Sequence, residues 1–128
     1  DAIATDHAPH SPALKQKPLD SAPFGVIGLE TALGLGITEL VESGLISMAR
    51  LIELMSTNPA RIINRPLGSL SVGHAADVTI FDPGRTWTYR VEKGRSKSRN
   101  SPFDEWKLKG KVIATIAGGR VVYNNSGS

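Results

Sequence analysis

Asp1-Ala2-Ile3-Ala4-Thr5-Asp6-His7-Ala8-Pro9-His10 is the stretch that decides the fold. Residues 1–5 read as a buried strand that delivers a carboxylate and imidazoles into one turn, a place for metal chemistry. A carboxylate at the C-terminal end of an apolar strand, followed at once by a proline-containing loop, is how a (β/α) barrel builds its active-site face. No initiator Met, cap or leader precedes Asp1, so the chain reads as the C-terminal portion of something longer.

After that turn, residues 11–24 carry Pro12, Pro18 and Pro23 with Lys15 and Lys17 and lack any sustained period. Structureless stretches of this length in compact domains are lids or binding loops, and a lid is the expectation here. Residues 28–44 then place Leu29, Ala32, Leu33, Leu40 and Val41 on one helical face, although Gly34 and Gly36 weaken its centre. Gly44 is the stop signal. Ser47 reads as the N-cap of a helix over 48–55, with Leu51, Ile52, Leu54 and Met55 on its buried side. Asn58-Pro59 repeats the start signal and opens a short third helix through Ile62 and Ile63, closed by Pro66.

From Gly68 onward the period changes to two. Residues 76–81, 86–91, 112–116 and 120–123 read as strands, Gly118-Gly119 marks a hairpin between the last two, and the tail 124–128 is expected to fray. Helices followed by a run of strands place the chain in the α/β class. The expectation is the C-terminal end of a metal-dependent (β/α)8 barrel, residues 1–67, followed by a small β-domain, residues 68–128, in a composite, urease-like arrangement.

Composition sets outer bounds. A chain of 128 residues with 40% hydrophobic and 21% charged residues is ordinary globular material with room for one core. No apolar run approaches the ~20 residues that span a bilayer. With no cysteine there is neither a disulfide framework nor a thiolate metal site, so any metal must be held by His, Asp or Glu, or by residues outside this stretch. The formal charge is only +3, yet Arg85, Arg90, Lys93, Arg95, Lys97, Arg99, Lys107, Lys109 and Lys111 crowd together, offset only by Glu92, Asp104 and Glu105. They read either as a nucleic-acid or anion patch or as a solvated loop and strand edge guarded against aggregation; the missing aromatic interleaving favours the second, so no nucleic-acid partner is expected.

Three separated segments carry a resemblance: Ala4-Thr5-Asp6-His7-Ala8-Pro9-His10, Ala22-Pro23-Phe24-Gly25-Val26-Ile27-Gly28-Leu29-Glu30 and Ser96-Lys97-Ser98-Arg99-Asn100-Ser101-Pro102-Phe103. Thr57-Asn58-Pro59-Ala60 and Gly73-His74-Ala75-Ala76-Asp77-Val78 are weaker echoes. In this order and spacing the chain resembles the C-terminal part of dihydroorotases of the amidohydrolase superfamily. It departs from them at Ala13 and Leu14, where members often carry a Glu pair, and at Glu105, where a Gly often stands.

The resemblance implies a cytoplasmic zinc enzyme with no membrane partner, holding two ions in its full-length form, that interconverts dihydroorotate and N-carbamoyl-aspartate in pyrimidine synthesis. It implies that Asp6 is both a metal ligand and the catalytic proton carrier, passing a proton from the attacking water species to the leaving amide nitrogen. His10, four residues on, matches the histidine that hydrogen-bonds the substrate carboxylate. Phe24 and Gly25 match backbone positions that touch substrate, and a glycine there lets main-chain amides approach an anion closely. Taken alone, Asp6 could be a strand-end cap, His10 a surface loop residue and Gly25 a hinge. His7 fits a supporting role rather than that of a ligand, His74 an exposed turn, and Arg99 and Asn100 have no chemical role beyond docking the β-domain to the barrel.

Two enzymatic rivals share the fold: allantoinases and hydantoinases. Allantoinases commonly place Cys where His10 stands, so His10 favours the dihydroorotase reading. A relative of another class is the non-catalytic subunit that scaffolds aspartate transcarbamoylase; intact Asp6 and His10 argue against it, while the ligands that would decide lie upstream of Asp1. Partners implied are therefore the small-molecule substrate, aspartate transcarbamoylase and further copies of the full-length chain. A free-standing binding module is disfavoured, because one barrel strand cannot close a sheet. The isolated chain is expected to be inactive and to bind zinc poorly, having one recognised ligand where zinc sites need at least three.

Overall fold

The computed structural model describes residues 1–125. The expected opening strand is not one: residues 1–5 pair with no strand among the described residues, and the Ile3 N–H donates instead to the Leu54 carbonyl at 2.9 Å. A strand exists only through a neighbouring backbone, and no described strand lies alongside this segment. The loop that follows is also less irregular than its sequence reads. Ser11 leads into the single turn α1 (Pro12–Lys15), with Pro12 at the first position, where its missing N–H costs nothing.

The first long helix begins later than its periodicity predicts. It comprises α2 (Ala32–Leu35) and a π-helical continuation, Gly36–Val41, and leaves Leu29 exposed. Gly34 and Gly36 lower helix propensity but permit close approach. A Cβ on Gly34 would lie 3.1 Å from the Leu108 side chain, and one on Gly36 would lie 2.8 Å from Leu51 Cδ1. Gly44, at φ +76, ends the excursion as its sequence position signals.

α3 (Met48–Ile52) starts where expected, with Ser47 Oγ accepting the Arg50 N–H at 3.1 Å. It does not stop before Asn58. A π-helical stretch, Glu53–Thr57, runs without a break into α4 (Asn58–Ile62), so the two helices expected here are one. Pro59 removes a backbone donor and adds ring bulk, and the widened turn ahead of it accommodates both.

Among the described residues, three antiparallel strands follow in the order β1 (Val78–Thr88), β2 (Lys107–Ala117) and β3 (Arg120–Asn124). The two strands expected at 76–81 and 86–91 are one irregular strand. Register passes from Asp82↔Lys111 to Thr86↔Lys109, so residues 83–85 stand opposite Gly110 alone. Asp82 Oδ1 accepts the N–H groups of Gly84 at 2.9 Å and Arg85 at 3.2 Å, which lifts Pro83 out of the ladder as a bulge. Gly118 and Gly119 form the predicted hairpin at φ +54 and +77. The tail is held further than expected: Asn124 belongs to β3, and the Asn125 N–H donates to the Ile113 carbonyl at 2.7 Å. The remainder of that expectation, 126–128, lies outside the described residues.

The core lies between the helices and β2. Ile37, Leu51 and Leu108 are 1%, 0% and 0% exposed. Burying a side chain of this size stabilises by about 1.5–3 kcal/mol. The Lys109 N–H donates to Thr38 Oγ1 at 2.9 Å, and Lys109 pairs with Glu42, fastening β2 to the helix. Part of the basic stretch is accordingly engaged in structure. Arg90 pairs with Glu105, Lys111 lies 4.0 Å over the Trp87 ring, and Arg99 donates to the Ser96 and Ser98 carbonyls. Glu105 itself sits at φ +66, a left-handed conformation that suits the glycine often found there in the resembling family.

Candidate active site

Two short segments, 6–10 and 23–28, lie against each other and carry the residues singled out in the sequence. The Ala8 N–H donates to the Val26 carbonyl at 2.9 Å, and the Gly28 N–H donates to His7 Nδ1 at 3.2 Å. Asp6 occupies the left-handed region at φ +43 and is exposed. Aspartate is among the few residues that tolerate this conformation, because its short polar side chain can satisfy the local backbone.

The His10 ring donates through Nε2 to the Phe24 carbonyl at 2.9 Å. A carbonyl can only accept, so Nε2 carries hydrogen and Nδ1 is the position left for another partner. Phe24 therefore takes part through its backbone, while its side chain is 91% exposed. Gly25 has φ +100, and a Cβ there would lie 2.5 Å from Ala8 Cβ. Both facts demand glycine: the second segment could not close on the first otherwise.

His7 is a different case. Its Nδ1 accepts a hydrogen bond, which spends the single nitrogen lone pair of a neutral imidazole. It anchors Gly28 and has no lone pair to offer a metal. His74 lies elsewhere, exposed in the turn where its N–H donates to the Ser71 carbonyl at 3.2 Å.

Two residues join the site that sequence reasoning left without a role in it. The Asn100 side chain donates to the Ala8 carbonyl at 2.8 Å and the Gly25 carbonyl at 3.2 Å, and accepts the His10 N–H at 3.2 Å. Its presence in the Ser96–Phe103 motif was a signal; its function was not legible there. Lys15 donates to the Pro23 and Gly25 carbonyls at 3.0 and 3.2 Å, and only its place in the proline-rich loop could have drawn notice. His10, Lys15, Arg99 and Asn100, with Pro12 and Gln16, line a cleft of about 220 Å³ that has no acidic side chain in its wall.

A larger cleft, about 540 Å³, opens between α2 and the sheet and contains none of the four predicted site residues. Trp87, Tyr89 and Lys111 line it. Burial pushes the Tyr89 phenol above its ordinary 10.0, and burial followed by the nearby Arg85 charge pushes Lys111 below its ordinary 10.5.

As a metal centre, the described residues are incomplete. Among them no three His, Asp or Glu side chains gather closely enough to hold an ion, and His7 is already committed. The exposed Asp6 carboxylate fits as one ligand of a shared site, but it does not make a site alone.

The amidohydrolase family pattern matches residues 1–122. The chain belongs to the amidohydrolase family. Among curated amidohydrolase relatives, the dihydroorotase of Syntrophus aciditrophicus is 49% identical over 123 residues, 96% of this chain and 29% of that protein. The dihydroorotase of Clostridioides difficile is 52% identical over 122 residues, 95% of this chain and 28% of that protein. The chain thus spans under a third of the length of the relatives it matches. Of solved structures, the dihydropyrimidinase of Brevibacillus agri superposes with a TM-score of 0.88 at 26% identity, covering 97% of this chain and 28% of that one. The L-hydantoinase of Arthrobacter aurescens gives 0.77 at 34% identity, covering 83% and 24%. The expected fold, part of an amidohydrolase barrel with a small sheet, is borne out by these likenesses. Among the described residues no helix is long and apolar enough to cross a membrane.

Proposed function

We propose that this chain is part of a dihydroorotase, opening the cyclic amide of dihydroorotate to N-carbamoyl-aspartate and closing it again, with Asp6 carrying the proton and His10 recognising the substrate carboxylate. The observation that carries the reading is one turn bearing both Asp6 and His10, with His10 opening on a cleft whose charged lining residues, Lys15 and Arg99, are cationic. Such a lining suits an anionic ring. Dihydroorotate bears a carboxylate, whereas an unsubstituted hydantoin or dihydropyrimidine ring does not, which sets the main reading above the hydantoinase alternative.

In this reading the Asp6 carboxylate accepts a proton from water as its oxygen attacks the ring carbonyl. It returns that proton to the ring nitrogen as the C–N bond breaks, so that one water is consumed, the new carboxyl group releases the second water proton to solvent, and a carboxylate and a carbamoyl nitrogen result. His10 donates through Nε2–H to the Phe24 carbonyl and through Nδ1–H to the substrate carboxylate, both ring nitrogens acting as donors in the bound state. Asp6, together with ligands from the rest of a full-length barrel, would hold zinc, which when bound would supply carbonyl polarisation and an activated water. The division of labour between residues 1–67 and 68–128 follows: the first part carries Asp6, His10, Phe24 and Gly25, and the second braces them.

The test uses full-length protein assayed with dihydroorotate in both directions. Asp6→Asn is expected to lower kcat by about 10²–10⁴-fold, the range of general acid–base catalysis. His10→Ala is expected to raise KM about 10–100-fold with a smaller change in kcat, as loss of a charged hydrogen bond predicts. Near-normal turnover by Asp6→Asn overturns the assignment, and turnover of hydantoin but not dihydroorotate by the unaltered protein establishes the alternative.

A further inference from the structure

We infer that Asn100 is a positioning residue for substrate recognition, a brace through which the segment before β2 sets the relative placement of His10 and Gly25. This rests on the dihydroorotase reading only for the identity of the substrate. The geometry stands apart from it: one half-buried carboxamide spans both site segments, donating to the Ala8 and Gly25 carbonyls at 2.8 and 3.2 Å and accepting from the His10 N–H at 3.2 Å. The Asn100 carbonyl adds a fourth tie by accepting the Ile27 N–H at 3.0 Å.

The pattern of donors and acceptors fixes the residue type. Two carbonyls face the Nδ2 hydrogens and one N–H faces Oδ1, so the amide orientation follows from the network. Aspartate has the same shape but no donor; it would keep an acceptor for His10 and set a carboxylate oxygen against two carbonyl oxygens. Glutamine is one methylene too long to meet all three partners from the same backbone. Alanine leaves Ala8 O and Gly25 O without this partner in a half-buried place, where an unmet polar group is costly.

Asp6 is less dependent on this brace than His10. Its neighbour His7 is tied to Gly28, and Ile3 to Leu54, through bonds that do not involve Asn100. Asn100, by contrast, contacts His10 directly and holds Gly25, whose neighbour Phe24 in turn orients the His10 ring. Losing the brace therefore disturbs recognition more than proton transfer.

Full-length Asn100→Asp and Asn100→Ala proteins test this against Thr38→Val, which deletes the remote bond from Lys109 N–H to the Thr38 hydroxyl. The expected result is a KM for dihydroorotate raised ~10-fold or more in both Asn100 variants with kcat within ~3-fold, since an ångström of misplacement is felt strongly in binding geometry. Thr38→Val is expected to lower thermal stability without moving KM. A substrate-free arm measures amide hydrogen exchange: residues 8–10 and 25–27 exchange faster in Asn100→Ala, while the helix–sheet core does not. Unchanged KM together with unchanged exchange in these segments overturns the inference, as does a uniform loss of stability with equal KM effects in Thr38→Val. If unaltered protein turns over no dihydroorotate, the functional reading falls, and the exchange arm still decides the brace.

Discussion

The site segments and the helix–sheet body are held together by different forces. Among residues 1–30 only Ile27 is buried, and the two turns are tied by hydrogen bonds between backbone groups and the side chains of Asn100, Lys15, His7 and His10. The body has the reverse character: Ile37, Leu51 and Leu108 are sealed from solvent, and Gly34, Gly36 and Gly110 allow the backbones to close on them. Apolar packing spreads a loss over everything it touches, whereas a hydrogen-bond brace fails locally. The contrast teaches that stability and recognition should come apart under mutation.

Leu108→Ala is the strongest probe of the body. It should cost about 2–5 kcal/mol in chemical denaturation of the full-length protein, the usual price of emptying such a site, with KM of the surviving folded enzyme unchanged. A KM shift as large as that of the Asn100 variants would erase the distinction between the two regions. Gly25→Ala probes the other side. Its left-handed backbone alone predicts a loss of about 1–2 kcal/mol, and the contact with Ala8 adds separation of the two turns. Here the larger consequence should appear in KM, and an unaffected KM would show that the turns tolerate parting.

The smallest effect is sharpened by alkaline titration. Tyr89 is held above 10.0 by burial, so its contribution to stability is complete below 10.0 and is lost as pH rises through the elevated folded value. Lys111 runs the other way. Its folded value is depressed by burial and Arg85, so its contribution is present above 10.5 and is lost as pH falls through the depressed value. In the full-length protein, the difference in tyrosinate absorbance between unaltered protein and Tyr89→Phe should show Tyr89 titrating late. Disappearance of activity in step with Tyr89 ionisation, before unfolding, would mean that the body and the site are coupled more tightly than their contacts indicate.

Local signals were the legible ones. Ser47 as a cap, Gly44 as a stop and Gly118-Gly119 as a hairpin each act within a few residues, and each was readable for that reason. Asn58-Pro59 misled because a start signal also fits inside a helix whose preceding turn is widened, and Pro83-Gly84 misled because a bulge can keep one strand continuous through punctuation. The opening strand was read from its apolar character, but strand identity depends on a partner that no local pattern reveals. In the site, motif residues Asp6, His10 and Gly25 were recognisable in order, whereas Asn100 lies ninety positions from His10 and its role is visible only once the chain folds back.

The left-handed backbone at Asp6 also constrains how the position can change over time. At φ +43 the site admits aspartate, asparagine and glycine at little steric expense, while alanine or a branched residue must either strain the turn or reshape it. Sequences that keep this scaffold but replace the aspartate are therefore expected to carry asparagine or glycine here first, and one bearing valine should have rebuilt the whole turn.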